Sequence, residues 1–323
     1  MIGRRGILGA FLAAGTGAWP AVAQDKYPSK PIRLVIPFPP GGGADAVARP
    51  LGPLLTETLG QPIVLDNRGG ANGNLGAEIV AKAPPDGYTL LIANSSFTIS
   101  RGLYARLPFD PLADFSPISL IGATPSLLAT NPSVPARTVK EFVELAKARP
   151  GKLTYGSSGI GSTMHLGAAM LQSMAGLDMV HVPYKGGGPA IADALSGQTN
   201  FIFVNPVAVL SQIKAGKLNA LAVTSKQRLA ILPDVPTFEE AGYPGLLSST
   251  FYGVLGPAGL PREVVTRLNA AVVAAVARKE LADHLIALGY EMESNTPEQF
   301  AAFLKEDAAQ WLKLIKMTGA SAE

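Results

Sequence analysis

The chain has 323 residues, with 27 Lys and Arg against 24 Asp and Glu, three His and no Cys. That length can build a two-lobed core without cross-links, and the lack of Cys excludes disulfide and thiolate chemistry. No Lys/Arg block or basic–aromatic stripe points to nucleic acid, and beyond the N-terminus no apolar run nears the roughly 20 residues that cross a bilayer.

Residues 1–23 read as a cleavable export signal: Arg4 and Arg5, a short apolar run from Gly6 to Ala14, then Ala21-Val22-Ala23 ahead of Gln24. The Arg pair suits a twin-arginine route as well as an ordinary secretory one. Removing it lowers the formal charge from +3 to about +1, so the basic precursor carries little information about partners. Pro31 to Phe38 then predicts a buried strand. A helix with Val47, Leu51, Leu54 and Leu55 at helical spacing follows, although Pro50 and Pro53 weigh against it. Pro62 to Asp66 gives a second strand, Leu75 to Lys82 a helix, and Tyr88 to Ala93 a third strand.

A second series starts near Ser126 to Ala129. Its predicted helices are Val139 to Ala148, Met164 to Ala175, Ala190 to Leu195 and Val207 to Ala215. Strands Leu153 to Tyr155, Val180 to Tyr184, Phe201 to Val204 and Ala220 to Val223 alternate with them. Strand Phe251 to Leu255 leads into helices Arg262 to Arg278, Leu281 to Leu288 and Pro297 to Met317, which return to the first lobe. This alternation implies parallel βαβ units and an α/β fold. Lobe 1 is expected over 24–124 and 250–323, and lobe 2 over 125–249.

Three glycine turns each join a strand to a helix: Pro39 to Asp45, Gly156 to Thr163, and Tyr184 to Pro189. Such a turn exposes backbone N–H groups at the positive end of a helix dipole and so forms an anion cradle. Gly41, Gly42 and Gly43 exceed what one tight turn needs. Asp45 suits a first-turn carboxylate that orients the loop or meets a cationic ligand group. Ser157, Ser158, Gly161, Ser162 and Thr163 surround the second cradle, where capping and ligand contact are compatible. His165, just inside the following helix, is the one histidine placed for a ligand contact.

Catalytic signatures are missing. Gly156-Ser157-Ser158-Gly159-Ile160 lacks the closing glycine of a nucleophile elbow, and no phosphate-loop or dinucleotide fingerprint is complete. His165, His181 and His284 show no metal-ligand pairing. No catalytic residue, metal or cofactor is therefore expected.

Several segments together carry a resemblance: Tyr27 to Arg33, Val35 to Asp45, Pro84 to Leu91, Tyr155 to Ser162, His181 to Gly186, Ala215 to Leu218 with Leu221 to Thr224, and Pro233 to Thr237. In this order and spacing, nearly all of the mature chain resembles the Bug family. These are the type II periplasmic binding proteins that serve as receptors of tripartite tricarboxylate transporters. The resemblance implies an α/β protein of two lobes joined by a hinge. In the periplasm it would close over a small organic carboxylate and deliver it, as a monomer, to membrane permease subunits. Carried over by motif, the ligand contacts would be Gly42, Gly43, Asp45, Ser95, Ser157, Ser162 and Thr163, with Ser158, Gly161, His165 and Asn205 beside them. Where many members carry Phe-Asp-Asn, this chain has Phe203-Val204-Asn205. Val204 offers no charge to a ligand ammonium, which favours an acid without an amino group. Two alternatives stay open: an exported serine hydrolase using Ser157 or Ser162 with His165 as base, and a receptor that signals to a membrane sensor.

Overall fold

The structure, a computed structural model, describes residues 27–246, 248–318 and 321; the export signal read over 1–23 lies outside them. From the N-terminus run β1 (Ile32–Ile36), α1 (Gly43–Leu59), β2 (Ile63–Asn67), α2 (Asn74–Ala81), β3 (Thr89–Asn94), α3 (Ser95–Leu103) and β4 (Phe115–Pro125). A second set follows: β5 (Leu127–Thr130), α4 (Val139–Ala148), β6 (Thr154–Ser157), α5 (Thr163–Ala175), β7 (Val180–Pro183), α6 (Gly187–Ser196), β8 (Phe201–Val204), α7 (Pro206–Lys214) and β9 (Asn219–Val223). The chain ends with β10 (Ser249–Pro257), α8 (Arg262–Val276), α9 (Lys279–Ala287), β11 (Glu291–Met292) and α10 (Pro297–Thr318).

The strands form two sheets, ordered β11-β4-β10-β3-β1-β2 and β7-β6-β8-β5-β9. Each has a parallel trio, β2-β1-β3 or β7-β6-β8, as the βα alternation predicts. An antiparallel strand from the opposite part of the chain then extends each trio: β10 beside β3, and β5 beside β8. The chain thus crosses between lobes twice, from β4 to β5 and from β9 to β10. The crossings are stitched together. The Ser126 N–H is shared between the Ser248 carbonyl at 2.9 Å and Thr224 Oγ1 at 2.8 Å, and the Thr224 hydroxyl donates to the Ser248 carbonyl.

Helix α1 continues through Pro50 and Pro53 because its stripe of Val47, Ala48, Leu51, Leu55 and Leu59 is buried, whereas Pro53 is exposed and Pro50 half-buried. A carbonyl deprived of its N–H partner on the outer face can bond water, so packing overrides the local preference. Helix α3 has the opposite history. Its Ser95-Ser96-Phe97-Thr98-Ile99-Ser100 run is rich in hydroxyl and β-branched residues and gives no helix signal. It forms because Asn94 Oδ1 caps the Ser96 N–H at 3.1 Å and its buried face packs on α10. β4 and the two-residue β11 are likewise absent from the sequence reading; both pair only with distant segments.

Helix α10 anchors the larger sheet. Phe300 is fully buried over Gly253 of β10, where a Cβ would sit 2.3 Å from the Phe300 ring. Removing that ring leaves a cavity the rigid sheet cannot fill. Phe300→Ala is expected to lower the unfolding free energy by about 3–5 kcal/mol, read as a shift in the denaturant midpoint at unchanged slope.

Candidate ligand-binding site

The C-terminal ends of the parallel strands in both sheets face one interlobe cavity of about 860 Å³, the place where open α/β sheets bind ligands. Its wall includes Pro39 to Ala44 after β1, Asn94 and Ser96 after β3, Ser158, Ser162 and Thr163 after β6, Gly186 to Gly188 after β7, and Val204 and Asn205 at the end of β8. Five helices, α1, α3, α5, α6 and α7, therefore begin at its rim. No Asp, Glu, Lys, Arg or His is among the described residues that line it.

The helix starts differ in how their N–H groups are used. Asn94, Ser162 and Asn205 cap α3, α5 and α7 with their side chains. Gly42 and Gly186, the N-caps of α1 and α6, have no side chain to do so. The first helical bond of α1 runs from the Ala46 N–H to the Gly42 carbonyl at 2.9 Å, so the N–H groups before it have no acceptor within the helix. The two glycine triplets thus supply the uncapped dipole ends, each worth about half a positive charge. Gly43 must be glycine for a further reason. A Cβ there would lie 2.2 Å from the hydroxyl of Tyr252. Tyr290 donates to the Gly43 carbonyl at 3.1 Å, and its ring lies 5.5 Å from that of Tyr252. Both tyrosines line the cavity.

Of the residues proposed from sequence, Gly42, Gly43, Ser158, Ser162, Thr163 and Asn205 meet at this cavity. Five others stand behind its wall, each held by a packing or hydrogen-bonding role. Asp45 is buried and accepts from the Gly41 N–H at 2.9 Å, Arg49 at 2.6 Å and Asn67 at 3.2 Å. Burial alone would raise its carboxyl, but the bonds from Arg49, Gly41 and Asn67 outweigh burial and hold it below the usual carboxylate range. It orients the first glycine turn and has no free face for a ligand cation. Ser95 is fully buried, donating to the Ser249 carbonyl and accepting from the Phe251 N–H, each at 3.1 Å; its neighbour Ser96 is the one at the wall. Gly161 turns its Cα towards Leu103 of α3, where a Cβ would be 2.2 Å away. Ser157 and His165 belong to a buried cluster beneath the second turn.

That cluster bears on the hydrolase alternative. Ser157 Oγ lies 2.6 Å from His181 Nε2, not from His165, and Ser157 is fully buried. Ser162 reaches the cavity, but its hydroxyl donates to the Gly159 carbonyl at 2.8 Å and caps the His165 N–H, with no imidazole nitrogen as partner. A serine nucleophile needs both an activating base and access to substrate, and neither serine combines the two. Among the described residues no group of three or more His, Asp or Glu is placed to hold a metal ion.

Sequence reasoning left out Asn72, Asn94, Ser96, Thr124, Ser126, Thr250, Tyr252 and Tyr290, all of which line the cavity. The third glycine turn carries the same cradle signal as the other two, and its Gly186, Gly187 and Gly188 also line the cavity. The tyrosines had no local signal, because they arrive from the returning C-terminal segment.

Residues 47–320 match the model of the tripartite tricarboxylate transporter family receptor. A UPF0065 protein from the tcbD-tcbE intergenic region of Pseudomonas sp. is 39% identical over 316 residues, covering 97% of this chain and 94% of its own. Among solved structures, R. palustris Rpa4515 with adipate superposes with a TM-score of 0.82 at 35% identity, covering 91% of this chain and 99% of that one. MatC (Rpa3494) from Rhodopseudomonas palustris with bound malate gives 0.79 at 31% identity, covering 90% and 100%. A matched family model over most of the length, full-length relatives and a shared two-lobed fold agree: this chain belongs to the tripartite tricarboxylate transporter receptor family, with the α/β periplasmic binding-protein fold.

Proposed function

We propose that this chain is an exported periplasmic receptor that captures a small organic carboxylate without an amino group and hands it, as a monomer, to a tripartite tricarboxylate-type permease. The observation that carries the reading is a cavity with five helix N-termini at its rim and, among the described residues, no charged side chain in its wall. An anion there meets backbone N–H groups and dipole ends. An ammonium would meet the same positive ends, with no carboxylate to offset them. Val204 supports this, since it presents an apolar surface where an aspartate would attract a cation. Related structures contain adipate and malate, both acids without an amino group. In this reading lobe 1 comprises 24–124 and 250–323 and lobe 2 comprises 125–249. Capture closes them about the two crossings, and expulsion of water strengthens each dipole contact.

Thermal shifts of refolded, ligand-stripped protein against mono-, di-, tri- and aromatic carboxylates, amino acids and neutral analogues test this directly. At one hundred times its dissociation constant a ligand adds about 2.7 kcal/mol of stability. A shift with one class of amino-free acids is expected; stabilisation by neutral or cationic compounds alone would sink the proposal. Gly43→Ala, whose Cβ displaces either the turn or Tyr252, is expected to weaken binding of the selected acid by about tenfold or more, as when a buried charged hydrogen bond is lost. Calorimetry reads the change, and circular dichroism checks that the fold is kept.

A further inference from the structure

Beneath the second glycine turn, His165 of α5 and His181 of β7 stack with ring centroids 4.0 Å apart and planes 13° from parallel. Tyr155 of β6 lies against both, 5.0 Å from His181 and 6.4 Å from His165. Neither imidazole lines the cavity. Both are nonetheless tied to the turn that carries the lining residues Ser158 and Ser162. The Gly161 N–H donates to His165 Nδ1 at 3.1 Å, and Ser157 Oγ meets His181 Nε2 at 2.6 Å. The Gly159 N–H donates to Ser157 Oγ at 3.1 Å, and the Ser162 hydroxyl donates to the Gly159 carbonyl at 2.8 Å.

The Gly161 N–H fixes the protonation of His165. Because His165 Nδ1 accepts from Gly161, the neutral ring carries its proton on Nε2, while Ser157 Oγ and His181 Nε2 share one hydrogen bond whose direction follows the His181 tautomer. Protonating His165 would set an N–H against the Gly161 N–H and abolish that bond. Protonating both rings would stack two cations at 4.0 Å. Protonating His181 makes Nε2 a donor to Ser157 Oγ and turns the Ser157 hydroxyl to the Gly159 carbonyl at 3.0 Å, which accepts from Ser162 as well. Protonation of His165 is thus the event that costs the turn between Ser157 and Ser162 a fixed partner.

We propose that His165 and His181 are positioning residues for ligand capture: as a neutral stacked pair they hold the second glycine turn in place, and acidification releases it. The proposal rests on the carboxylate-receptor reading above. The titratable groups stacked against the rings are each other and the Tyr155 phenol; on α10, which packs on α5, the buried Asp307 carboxyl, raised by burial to about 6, accepts from Thr98 and Trp311. Burial raises that phenol, so it stays neutral. Burial lowers His165 from 6.5 to about 4, with His181 adding to the effect, and burial lowers His181 to about 4. The folded state therefore binds fewer protons than the unfolded chain. The stabilisation is full above about pH 6.5 and lost as the pH falls to about 4.

Two readouts test the proposal. In the ligand-free protein, NMR should show the His165 and His181 ring nitrogens titrating well below 6.5, with the Gly161 amide moving at the same midpoint. Affinity for adipate and malate should then be measured at neutral and acid pH in the wild type, His165→Leu and His165→Asn. Leu removes the acceptor for Gly161, while the Asn carbonyl can replace Nδ1 without titrating. At neutral pH, Leu should lose about tenfold or more and Asn should recover most of it. On acidification the wild type should weaken about fivefold or more relative to Asn, a ratio that cancels the ligand's own titration. Imidazoles titrating near 6.5, a Gly161 amide that ignores them, or parallel loss in wild type and Asn would each overturn the proposal. Absence of binding to any acid at neutral pH would sink the receptor reading instead, and the coupled titration would then decide whether the pair holds the turn.

Discussion

The constraint on which the site depends is the unmet hydrogen-bonding capacity of helix N-termini. Each α-helix leaves its first N–H groups without an internal acceptor, and this fold brings five such ends to one cavity. Three are capped by their own Asn or Ser side chains. The two that are not start with glycine triplets, one on each lobe. A ligand recognised in this way is held by backbone, so its affinity depends on where the backbone is placed. A side-chain site can adjust a rotamer; a backbone site cannot. The turns must therefore be fixed from behind.

This explains why so many residues that look functional in the sequence do not touch the cavity. Asp45 gathers Gly41, Arg49 and Asn67 and sets the first turn. Tyr252 and Tyr290 support Gly43 from the other side, bringing β10 and the chain before β11 against α1. Ser95 ties the start of α3 to β10. His165, His181 and Ser157 do the same for the second turn. Polar residue types cluster at both ligand contacts and their supports, since either task needs donors and acceptors at strand ends. Residue type alone does not separate the two; exposure to the cavity does.

The sequence was most legible where local pattern and tertiary packing agree. Helix α4 lies at Val139–Ala148, as its spacing predicts, and the parallel trio of each sheet follows from the βα alternation. Legibility failed where a segment owes its form to distant partners. α3 is a helix because α10 buries it, against its own composition. β4 is a strand because β10 and β11 flank it. At the site, the glycine turns announced themselves, whereas Tyr290 reaches Gly43 across 247 residues of chain. No local rule marks such a residue. The Gly43 position does carry a trace of it, since a third consecutive glycine in a turn hints that something approaches closely.

That none of the described residues lining the cavity is charged also has a consequence for release. A Lys or Arg in the wall would have to be desolvated on closure and would grip the departing anion with a strong ion pair. Helix dipoles are built into the fold and bring no side-chain charge that must be desolvated on closure. Their hold is strong while water is excluded and weakens as the lobes part, because the local dielectric rises. Affinity is thereby coupled to lobe closure more than to any one residue. A receptor that must capture a dilute acid and then surrender it needs that coupling. A wall of glycine, hydroxyl, amide and apolar groups, uncharged among the described residues, provides it.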